Sequence, residues 1–235
     1  MNRLADMIIS LFFPHRCPFC GKTVPSNMAI CKDCAGTLPY VTGKTCPRCG
    51  RGFEFCHCRG NKFAFERCVS PLYYEGSVRK SIINFKFHAK QSSAAAYAAL
   101  SAQMIKREYD WQQFDFITCV PLTKREFKKR GFNQSEVFAR ALSRKLGIPY
   151  KDALCKPRDV KPQRTLNSEE RWLNTAGAFS AKGSFPGAVV LLIDDVITTG
   201  ATLSDCARAL KKAGAKQVFC ATIACTAPNK INAGQ

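Results

Sequence analysis

Two adjacent aspartates, Asp194 and Asp195, lie between an apolar run and a turn rich in threonine. The run 189–193 is β-branched and uncharged, which predicts a buried parallel strand. Because open α/β sheets bind ligands at the carboxyl ends of their strands, we expect both carboxylates to face a ligand. The turn 198–202 offers successive backbone N–H groups at the start of a helix, an arrangement that binds anions. The alternative is an ordinary strand-to-helix turn with a threonine N-cap.

A second segment of the same kind follows another predicted strand, 114–120. It begins with Val120, Pro121 and Leu122 and continues into a strongly basic stretch, 124–130. The five basic residues of that stretch are Lys124, Arg125, Lys128, Lys129 and Arg130. A run of charge usually forms a solvated face. This run lies in a predicted strand-to-helix loop beside the aspartates, so we favour a role in holding an anionic ligand.

Most of the 14 cysteines occur in closely spaced pairs. Two of the pairs stand in Cys-Pro-x-Cys-Gly knuckles, whose glycine permits the turn that aims both sulfurs at one ion. The spacing predicts one zinc site of Cys17, Cys20, Cys31 and Cys34 and a second of Cys46, Cys49, Cys56 and Cys58. No export signal is visible, so metal-bound thiolates in a reducing compartment are a better interpretation than disulfides.

The ligand set of the second zinc site is less regular, because Cys56 and Cys58 are separated by a single residue. His57 could replace one thiolate, Cys68 is a spare ligand, and the spacing also allows the two knuckles to share one ion. Four ligands leave no open position, so we expect structural zinc that contributes folding free energy. The phenylalanines of this region fit a small core better than a stacking surface for nucleic acid.

The remaining chain alternates predicted strands with predicted helices. The strands are 71–74, 114–120, 189–193 and 217–223. The helices are 92–109, 134–146 and 201–213, with a helical turn from Ser77. Such alternation predicts an α/β fold, a parallel sheet with helices on both faces. We therefore expect an N-terminal helix and double zinc ribbon over 1–68 and an α/β domain over 69–235.

The formal net charge is +19, and the basic excess is spread over the whole chain. Such a field favours polyanionic partners, nucleic acid in particular. No apolar stretch reaches the roughly 18 residues of a membrane helix, and Asp6 interrupts the apolar N-terminus. We therefore expect a cytoplasmic protein that is not integral to a membrane, beginning with a short amphipathic helix.

These motifs, in this order along the chain, resemble those of the ComF family (ComFC/GntX type), bacterial proteins associated with competence. The resemblance rests on the two knuckles and on the segments YYEG, FKF, VPLTKREFKKRGFNQSE and LLIDDVITTGAT. Residues 190–202 also resemble the phosphoribosyl pyrophosphate (PRPP) signature of type I phosphoribosyltransferases. The resemblance implies a type I phosphoribosyltransferase fold, preceded by a small zinc-ribbon domain.

The resemblance also implies roles for individual residues. Asp194 and Asp195 would contact the ribose hydroxyls and are the candidate catalytic residues, with Mg²⁺ bridging ribose and pyrophosphate. The PRPP-binding set would be Val120, Pro121, Leu122, Arg125, Arg130, Asp194, Asp195, Thr198, Thr199, Gly200, Ala201 and Thr202. Lys86 is a further candidate for a pyrophosphate or partner contact.

The function that the resemblance implies is PRPP binding by a zinc protein of DNA uptake and natural transformation. Single-stranded DNA is the expected partner, together with competence or recombination proteins. The alternative is an active Mg²⁺-dependent phosphoribosyltransferase that acts on a nucleobase or another acceptor. Val160 stands where the family usually has threonine, three residues before Gln163. Arg171 and Asn174, one helical turn apart, could face the site or the solvent.

Overall fold

A parallel sheet forms the centre of the computed structural model, which describes residues 15–25, 27–56, 58, 63–88, 91–157 and 177–226. The strands are β1 Cys68–Val69, β2 Leu72–Tyr73, β3 Phe116–Cys119, β4 Leu154–Cys155, β5 Ser180–Ala181, β6 Val189–Ile197 and β7 Gln217–Cys225. Five of them form the sheet in the order β1-β7-β6-β3, with β2 also paired to β7. Strands β4 and β5 form a separate antiparallel ribbon.

Helices cover both faces of this sheet, as the alternating pattern predicts. They are α1 Lys32–Thr37, α2 Gly76–His88, α3 Gln91–Glu108, α4 Lys124–Arg130, α5 Gln134–Leu146 and α6 Ala201–Lys212. Helices α3 and α5 pack against each other and against the sheet, while α6 packs on β6, β7 and the β4–β5 ribbon. Residues 190–193 of β6 are fully buried, as a central parallel strand requires.

Strand β6 is longer than its apolar sequence predicts. It pairs with β7 beyond Ile193, so Asp194 lies opposite Thr222 and Ile197 opposite Cys225. The prediction that the strand ends at Ile193 is therefore wrong, and both aspartates belong to the strand itself. Strand β3 ends at Cys119, opposite Ile193, so the aspartates lie beyond the end of their neighbour on that side.

The basic stretch 124–130 forms helix α4, so its assignment to a loop is wrong. Thr123 caps the helix and Glu126 reaches back to the Thr123 N–H, which completes a capping box. Gly131, with φ of 79°, ends the helix in the left-handed conformation. The helix therefore places its cationic side chains shortly after residues 120–122 in the chain.

The zinc-ribbon region has a small aromatic core. Phe63 and Phe65 are buried and stack with ring centroids 4.6 Å apart, which confirms the core interpretation for these two residues. Phe53 is 60% exposed. The predicted N-terminal helix lies outside the described residues. Within the described ranges, every helix is too short or too polar to span a bilayer.

Candidate functional site

The carboxylates of Asp194 and Asp195 have partners on two different helices, α5 and α2. Asp194 accepts a hydrogen bond of 2.9 Å from the hydroxyl of Ser135, at the start of α5. Asp195 forms an ion pair with Lys86 of α2, with 2.6 Å between Nζ and Oδ2. Here Lys86 contacts the acidic pair. Its predicted contact with pyrophosphate or a partner remains a prediction.

Burial and a neighbouring negative charge perturb the pKa of Asp194. Desolvation, followed by the charge of Asp195, raises the pKa of Asp194 to about 7. Desolvation works against the charge of Lys86, but the neighbouring Asp195 outweighs it and raises the pKa of that ammonium. Because the pKa of Asp194 is raised, ionisation of this carboxyl costs folding stability. Such a carboxyl is characteristic of a functional position.

We predict that Asp194→Asn makes the protein more stable at pH 8 and leaves its stability unchanged near pH 4. The raised pKa means that the folded state binds the proton more tightly, so stability falls as pH rises from about 4 to about 7. Asparagine keeps an acceptor for Ser135 and removes the charge. Allowing for partial solvent exposure, the gain at pH 8 is about 1–2 kcal/mol, or a few degrees in Tm.

The measurement is thermal unfolding at both pH values, with Asp152→Asn as control. Asp152 is a largely exposed carboxylate paired with Lys182, so its loss has little effect on Tm. A lower Tm of Asp194→Asn at pH 8 would show that the ionised carboxylate stabilises the fold.

The turn between β6 and α6 has the features of an anion cradle. Its N-cap is Gly200, with φ of 81° and no side-chain capping bond, so the threonine N-cap alternative is wrong. A Cβ at Gly200 would lie 2.7 Å from the Phe63 ring, which leaves room for glycine only. Within the described part of the chain, the N–H groups of Thr198, Thr199 and Gly200 have no hydrogen-bond acceptor.

Residues 120–122 lie beside the acidic pair because β3 pairs with β6. The Val120 N–H donates to the Ile193 carbonyl at 2.9 Å, just before the aspartates. The Asn133 side-chain amide donates to the Val120 carbonyl at 3.0 Å, and its oxygen caps α5. Asn133 therefore positions this segment, a role that the sequence motif alone does not disclose.

Helix α4 presents exposed cations next to the same segment. Arg130 donates to the Gln134 side chain at 2.8 Å, while the side chains of Lys124, Arg125, Lys128 and Lys129 are exposed. Phe127, 48% exposed, lies among them. The predicted site residues Gln163, Arg171 and Asn174 lie outside the described residues.

The cysteines form two separate tetrads, each with its sulfurs within 4.8 Å of one another. The tetrads are Cys17, Cys20, Cys31 and Cys34, and Cys46, Cys49, Cys56 and Cys58. Tetrahedral zinc with Zn–S bonds of about 2.3 Å requires sulfurs about 3.8 Å apart. The Cys20–Cys31 and Cys49–Cys56 sulfurs are separated by 3.6 and 3.7 Å. Both tetrads therefore fit structural zinc.

This grouping bears on two of the alternatives for the ligand set, the shared ion and Cys68. The two knuckles do not share one ion, and Cys68 lies in β1 as part of the buried core. His57 lies outside the described residues. Burial opposes ionisation of Cys17, but the backbone N–H groups of Cys31, Phe19 and Cys20 outweigh it and lower the pKa of this thiol to about 7. A thiol whose pKa is about 7 is readily deprotonated for zinc binding.

Comparison with known proteins matches two family models to the chain. Residues 86–232 match the model of the phosphoribosyl transferase domain family, and residues 8–69 match the double zinc ribbon domain. The DNA utilization protein YhgH of Salmonella typhimurium is 30% identical over 210 residues, which cover 87% of this chain and 88% of that protein. The chain belongs to the ComF family.

Other ComF relatives align over nearly their whole length. Competence protein F of Haemophilus influenzae is 29% identical over 223 residues, 88% of this chain and 95% of that protein. Competence protein ComFC of Streptococcus pneumoniae is 25% identical over 221 residues, 86% of this chain and 96% of that protein. The predicted family, the phosphoribosyltransferase fold and the zinc-ribbon region are thus confirmed.

Proposed function

We propose that this ComF-family protein binds PRPP with Mg²⁺ at the carboxyl ends of β3 and β6. One observation carries the proposal: two carboxylates are followed directly by a turn whose first three N–H groups have no acceptor in the described part of the chain. Diol hydroxyls donate to carboxylates, and phosphate oxygens accept from N–H groups at a helix start. A phosphorylated sugar offers both groups in one molecule.

Each part of the site has a distinct role in this proposal. Asp194 and Asp195 accept from the ribose hydroxyls. The turn, made of Thr198, Thr199, Gly200, Ala201 and Thr202, surrounds the 5′-phosphate. The segment Val120, Pro121 and Leu122 borders the pyrophosphate, with Arg125 and Arg130 of α4 supplying positive charge. Asn133 and Ser135 hold the two halves together through Val120 and Asp194.

The acidic pair suits a cation, because the ammonium of Lys86 already lies 2.6 Å from Asp195. Mg²⁺ would neutralise charge on the pyrophosphate, and the carboxylates would hold it directly or through water. Lys86 then has to leave Asp195 or share it. Only 25% of its side chain is exposed, so this rearrangement takes place within the site.

Calorimetric titration of PRPP with Mg²⁺ into the zinc-loaded protein tests the proposal. We expect one saturable site per chain that requires Mg²⁺. Ribose 5-phosphate should bind more weakly, because it lacks the pyrophosphate. The absence of heat at high protein concentration, with both zinc ions present, would refute PRPP binding.

We further propose that the protein acts on incoming DNA in the cytoplasm, where reducing conditions preserve the zinc thiolates. The names of the relatives, which refer to DNA utilization and to competence, support this role. The net charge of +19 supports a nucleic-acid partner. Helix α4 combines exposed cations with the exposed ring of Phe127, the combination on which single-stranded DNA stacks. Competence or recombination proteins would deliver or receive the strand.

We predict that Phe127→Ala weakens binding of a single-stranded oligonucleotide about fivefold to fiftyfold, because one base loses its stacking partner. The slope of log affinity against log salt stays unchanged, whereas Lys128→Gln with Lys129→Gln reduces it by roughly 1.4. Fluorescence anisotropy at several salt concentrations measures both effects.

Phe53→Ala is the matched control, because Phe53 is also an exposed phenylalanine but lies in the zinc-ribbon region. It should leave affinity unchanged. If Phe53→Ala weakens binding and Phe127→Ala does not, the DNA surface lies on the zinc ribbons instead.

A further inference from the structure

Arg51 of the second zinc ribbon is buried, with 7% of its surface exposed. Its guanidinium donates to the carbonyl oxygens of Ile197 at 3.2 Å and of Thr226 at 2.9 Å, and also to the carbonyl of Thr198. Two of these acceptors lie at the start of the proposed phosphate-binding turn. A side chain about 150 residues earlier in the chain thus contacts the backbone of that turn.

The direction of these bonds determines where the N–H groups of the turn point. In a trans peptide the carbonyl and the N–H of one plane point in opposite directions. The Ile197 carbonyl shares its plane with the Thr198 N–H, and the Thr198 carbonyl with the Thr199 N–H. Because Arg51 attracts both carbonyls toward the zinc ribbon, both N–H groups point away from it. These are two of the three N–H groups that have no acceptor among the described residues.

The zinc knuckle fixes Arg51 itself. The Cys46 N–H donates to the Arg51 carbonyl at 2.7 Å, and the Gly50 N–H donates to the Cys46 carbonyl at 3.0 Å. Gly50 adopts a φ of 73°, and a Cβ there would lie 2.3 Å from the Cys68 carbonyl oxygen. The knuckle is therefore pressed onto β1, with the Arg51 side chain aimed at the end of β6.

A second contact connects the same zinc-ribbon region to the turn. The Phe63 ring lies against Gly200, and the Ala64 N–H donates to the Ser204 hydroxyl at 2.9 Å in the first turns of α6. The turn is thus held at its beginning by Arg51 and at its end by residues 63–64. Arg51 lies between two cysteines of the second tetrad, and residues 63–64 follow that tetrad.

We propose that Arg51 is a positioning residue for the phosphate-binding turn, and that the second zinc ribbon preorganises the PRPP site through it. The inference rests on the proposed PRPP function. Arg51 does not touch the ligand in this account. It orients the Thr198 and Thr199 N–H groups before the ligand arrives, so less ordering is required on binding.

The test compares Arg51→Gln and Arg51→Lys with Arg67→Gln in the full chain. Arg67 is a partly buried arginine that pairs with Glu108 and serves as the matched control. We expect Arg51→Gln to keep two zinc ions and to bind Mg²⁺–PRPP roughly tenfold to hundredfold more weakly. Arg51→Lys restores part of the affinity, because a point charge cannot span three carbonyls. Arg67→Gln lowers Tm and leaves PRPP affinity unchanged.

Hydrogen–deuterium exchange of peptides covering 194–204 provides a second readout that does not depend on PRPP. We expect faster exchange in Arg51→Gln than in the parent or in Arg67→Gln. If the parent does not bind PRPP, the proposed function fails, and exchange alone then decides the positioning claim. A zinc-loaded Arg51→Gln with unchanged PRPP affinity, or with unchanged exchange, overturns the inference. If Arg51→Gln does not fold, the same two readouts apply to Arg51→Lys.

Discussion

Replacing both Asp194 and Asp195 by asparagine is expected to abolish PRPP binding, with an affinity loss of more than about a hundredfold. Asparagine keeps the size of each side chain but removes both negative charges. The ribose hydroxyls then lose charge-assisted acceptors, and the cation loses the carboxylates that would hold it. Lys86 would also be left without the partner that it has in this structure, and its positive charge would oppose the binding of Mg²⁺.

The double variant should retain its fold and both zinc ions, because neither aspartate belongs to a cysteine tetrad. Asp110→Asn with Asp152→Asn makes the same change in net charge at two exposed positions. Calorimetry on both double variants separates the effect of losing these two carboxylates from the effect of the change in net charge. Binding of PRPP by Asp194→Asn/Asp195→Asn at the affinity of the parent would exclude this pair as the ribose site.

Cys17→Ser is expected to reduce the zinc content from two ions per chain to one and to lower the soluble yield severely. Cys17 is 1% exposed and belongs to the first tetrad. Serine cannot supply the thiolate, and the short zinc-ribbon region has few buried side chains to replace the folding free energy that the metal provides. Zinc content measured by atomic emission and the soluble fraction after expression report the two effects.

Cys155→Ser is the control for that variant, because Cys155 belongs to neither tetrad and is partly exposed. It should keep two zinc ions and the yield of the parent. A stable Cys17→Ser protein that still carries two ions would mean that another group completes the first site.

The most informative parts of the site could be predicted because their signals are local. The apolar run, the acidic pair and the threonine-rich turn are consecutive in the sequence, and so are the pairs of the zinc knuckles. Such motifs determine which strand carries the acidic pair and which cysteines meet. The first tetrad needs only two pairs with ten residues between them, and the fold brings all four sulfurs together.

Helix α4 carries a local sequence signal for both of its ends. Thr123 followed by Glu126 is a capping box, and Gly131 is a standard helix end, so the boundaries of the helix were readable. The position of the stretch between a predicted strand and a predicted helix favours a loop instead. The length of β6 had no such local signal, because its last four residues are in the strand only through pairing with β7.

The contacts of Arg51 could not be predicted, for a different physical reason. Its acceptors are backbone carbonyls far along the chain, and carbonyls carry no residue type that a sequence pattern can identify. The same holds for the Asn133 contact with the Val120 carbonyl. Residues that position a site through backbone groups are visible only once the topology brings the segments together.

The central claim is that the N–H groups of Thr198, Thr199 and Gly200 hold the phosphate of PRPP. The most direct measurement is a ¹H–¹⁵N correlation spectrum of the zinc-loaded protein during titration with PRPP and Mg²⁺. We predict that the largest shifts occur at the amides of Thr198, Thr199 and Gly200, with smaller shifts near Val120. Saturable binding that leaves these three amides unmoved, or no binding at all, would contradict the claim.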